Sequence, residues 1–145
     1  MITDKQKPAW IIGIDSGVNT GFAVWHTKEK RFFKIESMAI HQAIDQIKAY
    51  SNNKDQIFIR VEDARKRNWF GKSGREQLQG AGSIKRDAKI WEDFLTDLGV
   101  QFELVAPKNN KTKLNANAFK NLTGWQGKTN EHSRDAAMLV FQFNN

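Results

Sequence analysis

The sequence predicts an α/β fold: a five-stranded mixed sheet, made of a three-strand meander plus two parallel strands, flanked by helices. Two observations predict it. Apolar residues first recur at the two-residue period of strands, separated by Gly- and Asn-bearing turns, and later recur at helical spacing between further strand-like runs. The resulting order is three strands, helix, strand, helix, strand, helix. A strand reached through a helical crossover runs parallel to its neighbour, so the fourth and fifth strands should lie alongside the first with their carboxyl ends on one edge.

The elements follow in order. Trp10 to Asp15 reads as a buried strand, and Gly17-Val18-Asn19-Thr20-Gly21 turns the chain into a hairpin partner, Phe22 to Trp25. Thr27 to Lys30 makes a second turn, and Arg31 to Ala39 is a third strand with Phe33 and Ile35 alternating against polar neighbours. Ile40, Ala43, Ile44 and Ile47 mark a short amphipathic helix stopped by Ser51-Asn52-Asn53, and Gln56 to Glu62 returns to strand. Gly74 to Leu98 is a long helix closed by Gly99, with Leu78, Ala81, Ile84, Trp91, Leu95 and Leu98 on one face. Its Gly80-Ala81-Gly82-Ser83 cluster is compatible with a kink, with close approach of another backbone, or with a helix that begins near Ser83. Gln101 to Ala106 is the fifth strand, ended by Pro107. A short helix is expected around Ala116 to Leu122, and Asn130 caps a final helix over Glu131 to Phe143.

Composition narrows the function classes. A chain of 145 residues is expected to be one domain, with 1–8 as a flexible N-terminal tail. Its 23 basic and 16 acidic side chains leave a formal charge of +7, which favours a polyanionic partner. The absence of cysteine excludes disulfide scaffolds and thiolate metal sites. No apolar run approaches a membrane span and no signal peptide is read, so the expected location is cytoplasmic, with no membrane partner and no small-molecule cofactor.

Chemistry concentrates at strand ends. Asp15 closes an apolar strand where a glycine-bearing turn begins, the usual place for ligand sites in α/β folds. Parallel pairing would put Glu62 beside it, about 4.8 Å away across adjacent strands, close enough for one divalent cation or a pair. His132 and Asp135 stand three apart in the first turn of the last helix and share a face. Each has an ordinary explanation as well: Glu62 or Asp63 opening a solvated loop, and Asp135 complementing the helix dipole beside a surface histidine. Carboxylates with a histidine suit Mg²⁺, and Mn²⁺ tolerates the imidazole better; two such ions can activate a water and stabilise a leaving oxygen. Joined to the basic charge, these acids point to a nuclease.

IIGIDSGVNTG with Asp15, FIRVEDA with Glu62, FELVAP, and EHSRDAAML with His132 and Asp135 resemble, in order and spacing, the motifs of RuvC-type Holliday-junction resolvases of the ribonuclease H-like superfamily. The resemblance runs from Ile11 to Phe143. It implies a homodimer that binds four-way or branched DNA and makes paired nicks with Mg²⁺ or Mn²⁺, two ions per site. Asp15, Glu62 and Asp135 match acidic metal ligands of that family, and His132 stands where members have aspartate or histidine. Lys111 and Lys120 resemble lysines that support cleavage. Ser16 departs from the proline usual after the first aspartate.

One segment has its own character. Arg65, Lys66, Arg67 and Lys72 surround the adjacent aromatics Trp69 and Phe70, with Arg75 just beyond. The cations would follow DNA phosphates while an aromatic wedges against an unpaired base; the other reading folds Trp69 and Phe70 onto the core. GIDSGVNTG also resembles the phosphate-binding hairpin of the actin, heat-shock-chaperone and sugar-kinase ATPases, which need two such domains. A non-catalytic junction-binding module and a nuclease for RNA–DNA hybrid or other DNA complete the alternatives. The long helix is the candidate dimer interface.

Overall fold

Unbroken apolar runs demand burial on both sides, and the first strand receives it. The structure is a computed structural model that describes residues 7–66, 74–107 and 114–143. β1 (Trp10–Asp15) is central, with β2 (Asn19–His26) antiparallel on one side and β4 (Ile57–Glu62) parallel on the other. β3 (Arg31–Ala39) extends the meander and β5 (Gln101–Val105) pairs parallel with β4, so the sheet order is β3-β2-β1-β4-β5. The crossovers are α1 (Ile40–Tyr50) and α2 (Gly74–Leu98); α3 (Ala116–Thr123) and α4 (Glu131–Met138) follow β5.

Alternation within the strands divides the core in two. Ile12, Ile14, Phe22, Val24, Ile59 and Val61 pack with Ala43 and Ile47 of α1 and with Trp91 and Leu95 of α2. On the other face Ile11, Ala23, Trp25, Phe32 and Ile35 meet Phe119 of α3 and Ala136, Ala137 and Val140 of α4 and the segment after it. Among the described residues Trp91 and Trp25 are the largest fully buried side chains, one on each face.

Four expectations need correction. Phe33 was assigned to the buried alternation, but Phe32 is buried and Phe33 is 39% exposed. The register shifts between Val24 and Trp25, so that Trp25 pairs with Phe32; a β-bulge of this kind resets which side chains face the core. The final helix ends at Met138 rather than Phe143. There the bonds tighten to a three-residue span, Leu139 N–H to the Ala136 carbonyl at 3.2 Å and Val140 N–H to Ala137 at 3.1 Å, and Gln142 turns the chain at φ +55°. β2 runs wider than Phe22 to Trp25. α2 spans Gly74–Leu98 as expected, helical through the small-residue cluster, and among the described residues a Cβ on Gly82 would meet nothing within 4 Å. Pro8, placed by sequence in the tail, is buried, its carbonyl accepting the Thr27 hydroxyl at 2.7 Å.

Candidate active site

β1 and β4 end together. Asp15 and Glu62 are register partners, as their positions in parallel neighbours require. Between them Ser16 donates its hydroxyl to the Glu62 carbonyl at 3.4 Å, a cross-strand tie that a proline at this position has no donor to make. The Thr20 hydroxyl donates to the Gly17 carbonyl at 2.8 Å and fastens the hairpin turn that follows Asp15.

The third component arrives on α4, and two glycines determine how closely. A Cβ on Gly21 would stand 1.9 Å from the His132 carbonyl oxygen, and one on Gly13 would stand 2.1 Å from that of Ala136. Only glycine lets the helix backbone settle this far onto the sheet. Gly21 is also the register partner of Asp15, so the first turn of α4 lies over the strand pair that carries the aspartate. His132 Nδ1 consequently lies 3.3 Å from Asp15 Oδ2, with the Asp15 side chain 14% and the His132 side chain 48% exposed.

Capping holds that turn in shape. Asn130 Oδ1 accepts the Ser133 N–H at 2.9 Å, and Ser133 Oγ in return accepts the Asn130 N–H at 2.9 Å. Arg134 reaches from α4 to the Leu114 carbonyl at 3.0 Å and the Thr129 hydroxyl at 2.9 Å. At the far end Arg60 of β4 donates to the Leu139 carbonyl, pairs with Glu103 of β5 and stacks 4.2 Å from the Phe143 ring. Both ends of α4 are thus anchored. Asp135 is one helical turn beyond His132 on the same face.

Residue 63 is not the solvated start of a loop. Asp63 is 2% exposed, its N–H donates to the Val105 carbonyl at 2.8 Å, and its carboxylate takes Arg65 Nη2 at 2.8 Å and Nε at 2.9 Å. Burial alone would push this carboxyl up, but hydrogen bonds from the Arg65 side chain and backbone, with the charges of Arg65 and Lys66, hold it below its ordinary value. Arg65 extends the same guanidinium to Glu92 of α2 at 3.2 Å. The residue directly after Glu62 is therefore locked to β5 and, through Arg65, to α2.

Among solved structures, the chain is similar to T. thermophilus RuvC in complex with Holliday junction substrate, with a TM-score of 0.62, 15% sequence identity, and coverage of 91% of this chain and 90% of that one. The chain has the ribonuclease H-like fold. No family model matches it, and no curated protein matches it.

Within this ribonuclease H-like sheet the predicted residues divide clearly. Asp15 is the register partner of Glu62 at the carboxyl edge and is in contact with His132, with Asp135 on the adjoining helix face. Their oxygen and imidazole donors are of the kind that suits Mg²⁺ or Mn²⁺. Among the described residues, however, no group of three or more such side chains is placed to hold a metal ion. Lys120 is exposed on α3, next to the buried Phe119. Lys66 donates to the Leu104 carbonyl at 3.0 Å. Arg65 is engaged by Asp63 and Glu92 as described. Lys111, Arg67, Trp69, Phe70 and Lys72 lie outside the described residues, and Arg75 falls in the first turn of α2, where the backbone alone is described.

Sequence reasoning missed Gly13, Arg60 and Ser133. A glycine in the middle of an apolar strand is itself a signal of close backbone approach, and Ser133 three residues after Asn130 fits a reciprocal cap. Arg60 carried no signal, because its partners lie far along the chain, on β5 and on the segment after α4.

Proposed function

We propose that this protein is a divalent-metal-dependent nuclease that hydrolyses phosphodiester bonds in branched DNA, four-way junctions foremost, by paired symmetric nicks. The observation that carries the reading is the shared edge: Asp15 and Glu62 in register, with His132 drawn to Asp15 by a helix seated on glycine. The likeness to a structure solved with a Holliday junction and the charge of +7 support the substrate class.

Asp15, Glu62 and Asp135 are the proposed metal ligands, with His132 the fourth. Mg²⁺ or Mn²⁺ bound there would supply an activated water and charge neutralisation at the scissile phosphate. Asp15 and Glu62 bring two like charges to one edge, so a cation relieves a repulsion that the sheet register creates. A cation held by both residues would take the place of the direct 3.3 Å contact between Asp15 and His132. Lys120 and Lys111 are assigned to the phosphate, where their charge offsets the developing negative charge. Lys66, Arg67, Lys72 and Arg75 are assigned to neighbouring DNA phosphates, with Trp69 and Phe70 as the wedge at the crossover. Two copies related by a two-fold axis would address opposed strands of the junction, and α2, which exposes Ile90, is the proposed contact between them.

The test is cleavage of a synthetic four-way junction with Mg²⁺ or Mn²⁺, set beside linear duplex and RNA–DNA hybrid. Symmetric nicking of the junction is expected, with Asp15→Asn retaining binding and losing at least 100-fold in rate, about the scale of removing one strong transition-state contact. Equal cutting of linear duplex would remove the junction assignment. Full activity in Asp15→Asn, Glu62→Gln and Asp135→Asn alike would remove the metal site.

A further inference from the structure

The opposite end of the sheet carries a second charged feature. Around the start of β1 lies an open cleft of about 870 Å³, lined by Lys7, His26, Thr27, Lys28, Lys30 and Gln56 among others, with no acidic residue in its described lining. Glu29, the acid of the same hairpin turn, is directed to its own neighbours: its carboxylate stands 3.6 Å from His26 Nδ1 and 3.4 Å from Arg31 Nε.

The wall is fixed rather than loose. The Thr27 hydroxyl donates to the Pro8 carbonyl at 2.7 Å and its N–H to the Ala9 carbonyl at 3.0 Å, which fastens the lysine turn to the strand start. Trp10 meets the His26 ring edge-on at 4.6 Å, and Phe33 stacks on it at 5.2 Å. The Glu29 N–H donates to His26 Nδ1 at 3.1 Å, so in the neutral ring the proton sits on Nε2, which becomes a donor. Lys30 stands at φ +53°, a conformation that hairpins ordinarily give to glycine or asparagine. A lysine there sacrifices conformational ease and leaves a cation at the rim of the cleft.

We propose that this cleft is a second nucleic-acid contact, holding backbone phosphates of a DNA arm with Lys7, Lys28 and Lys30 as charges and His26 Nε2 and the Gln56 amide as directional donors. Lysines on separate segments act as point charges that follow a phosphate chain without reading sequence. The cleft is also far larger than one phosphate group. β1 separates it from Asp15 by about 17 Å, comparable with the rise of about five nucleotides along one strand. The identity of the ligand rests on the DNA-directed reading above; the cleft itself does not.

The experiment compares the full chain with its Lys28→Gln/Lys30→Gly variant, measuring binding of an unbranched DNA duplex and of a four-way junction in EDTA over a salt series. The variant should bind both DNAs about 10-fold more weakly, with the slope of log K against log salt shallower by about 2. Because glycine relieves the left-handed position, Lys30→Gly alone should raise the melting temperature while weakening DNA binding, a combination that a structural lysine would not produce. Unaltered affinity and salt slope would overturn the proposal. Inorganic pyrophosphate displacing the duplex from the wild-type cleft at lower concentration than unlabelled duplex would also overturn it, marking a small-anion site. A wild-type chain that cuts no DNA, yet loses duplex affinity in the double variant, would sink the nuclease reading and leave this one standing.

Discussion

The two faces of the sheet solve different problems. On the α1 and α2 face, Ile12, Ile14, Ile59 and Val61 stand between sheet and helices, and the indole of Trp91 is fully buried among them. On the α4 face the spacers are removed: Gly13 and Gly21 meet the carbonyls of Ala136 and His132 directly. Large side chains bury area and set the helix at an ordinary distance, each fully buried one contributing roughly 1.5–3 kcal/mol. A backbone resting on a backbone buries little but admits few positions. The first face supplies stability, and the second supplies the placement of His132 and Asp135.

Variants can break this comparison. The largest expected loss is Trp91→Ala, about 3–5 kcal/mol in urea unfolding, because a cavity opens among fully buried neighbours. The fraction that remains folded should keep its specific nicking rate. Arg65→Met comes next, at about 3 kcal/mol near neutral pH, since it strands the Asp63 carboxylate in a buried position. Asp63 has a depressed folded-state value, so its contribution is present above the ordinary carboxylate range and is lost as pH falls through the folded value. The gap between Arg65→Met and wild type should therefore close below about pH 4; a gap that persisted at pH 2 would show that the guanidinium acts by packing instead.

Gly21→Ala tests the second face. Overpacking of this kind costs about 2–3 kcal/mol, but here the loss of cleavage should exceed the loss of stability, because relief of the clash moves the turn that carries His132. Nicking by folded Gly21→Ala at the wild-type rate would contradict the division of labour between the faces. The smallest effect is a gain. Gly82→Ala, in open space on α2, should stabilise the chain by about 0.5–1 kcal/mol through helix propensity, read as a raised urea midpoint with unchanged slope.

Much of this architecture was legible in the sequence because it depends on local period. The bounds of β1, the long α2, the Asn130 cap and the meeting of Asp15 with Glu62 follow from alternation, helical spacing and the parallel sense of crossover strands. What stayed hidden is set by tertiary contact. The bulge that exchanges Phe32 for Phe33 depends on the partner strand, and the early end of α4 depends on tightened bonds and on Arg60 taking the Leu139 carbonyl. The ion pair of Arg65 with Glu92 stayed hidden because nothing in the sequence places Glu92, 27 residues later, within its reach. The carboxylate edge was readable as a meeting of residues, whereas the contact of His132 with Asp15 needed the glycine-seated helix to be seen.

The pair of bare backbone positions also has a consequence for inheritance. Every glycine codon begins with two guanines, and any single-base change that alters the amino acid substitutes a residue with a side chain. At Gly13 and Gly21 each such change drives a carbon into a helix carbonyl. A library of random missense alleles selected for function should therefore show two silent gaps, one in the middle of β1 and one opposite Asp15, beside codons for bulky core residues that accept conservative exchange freely.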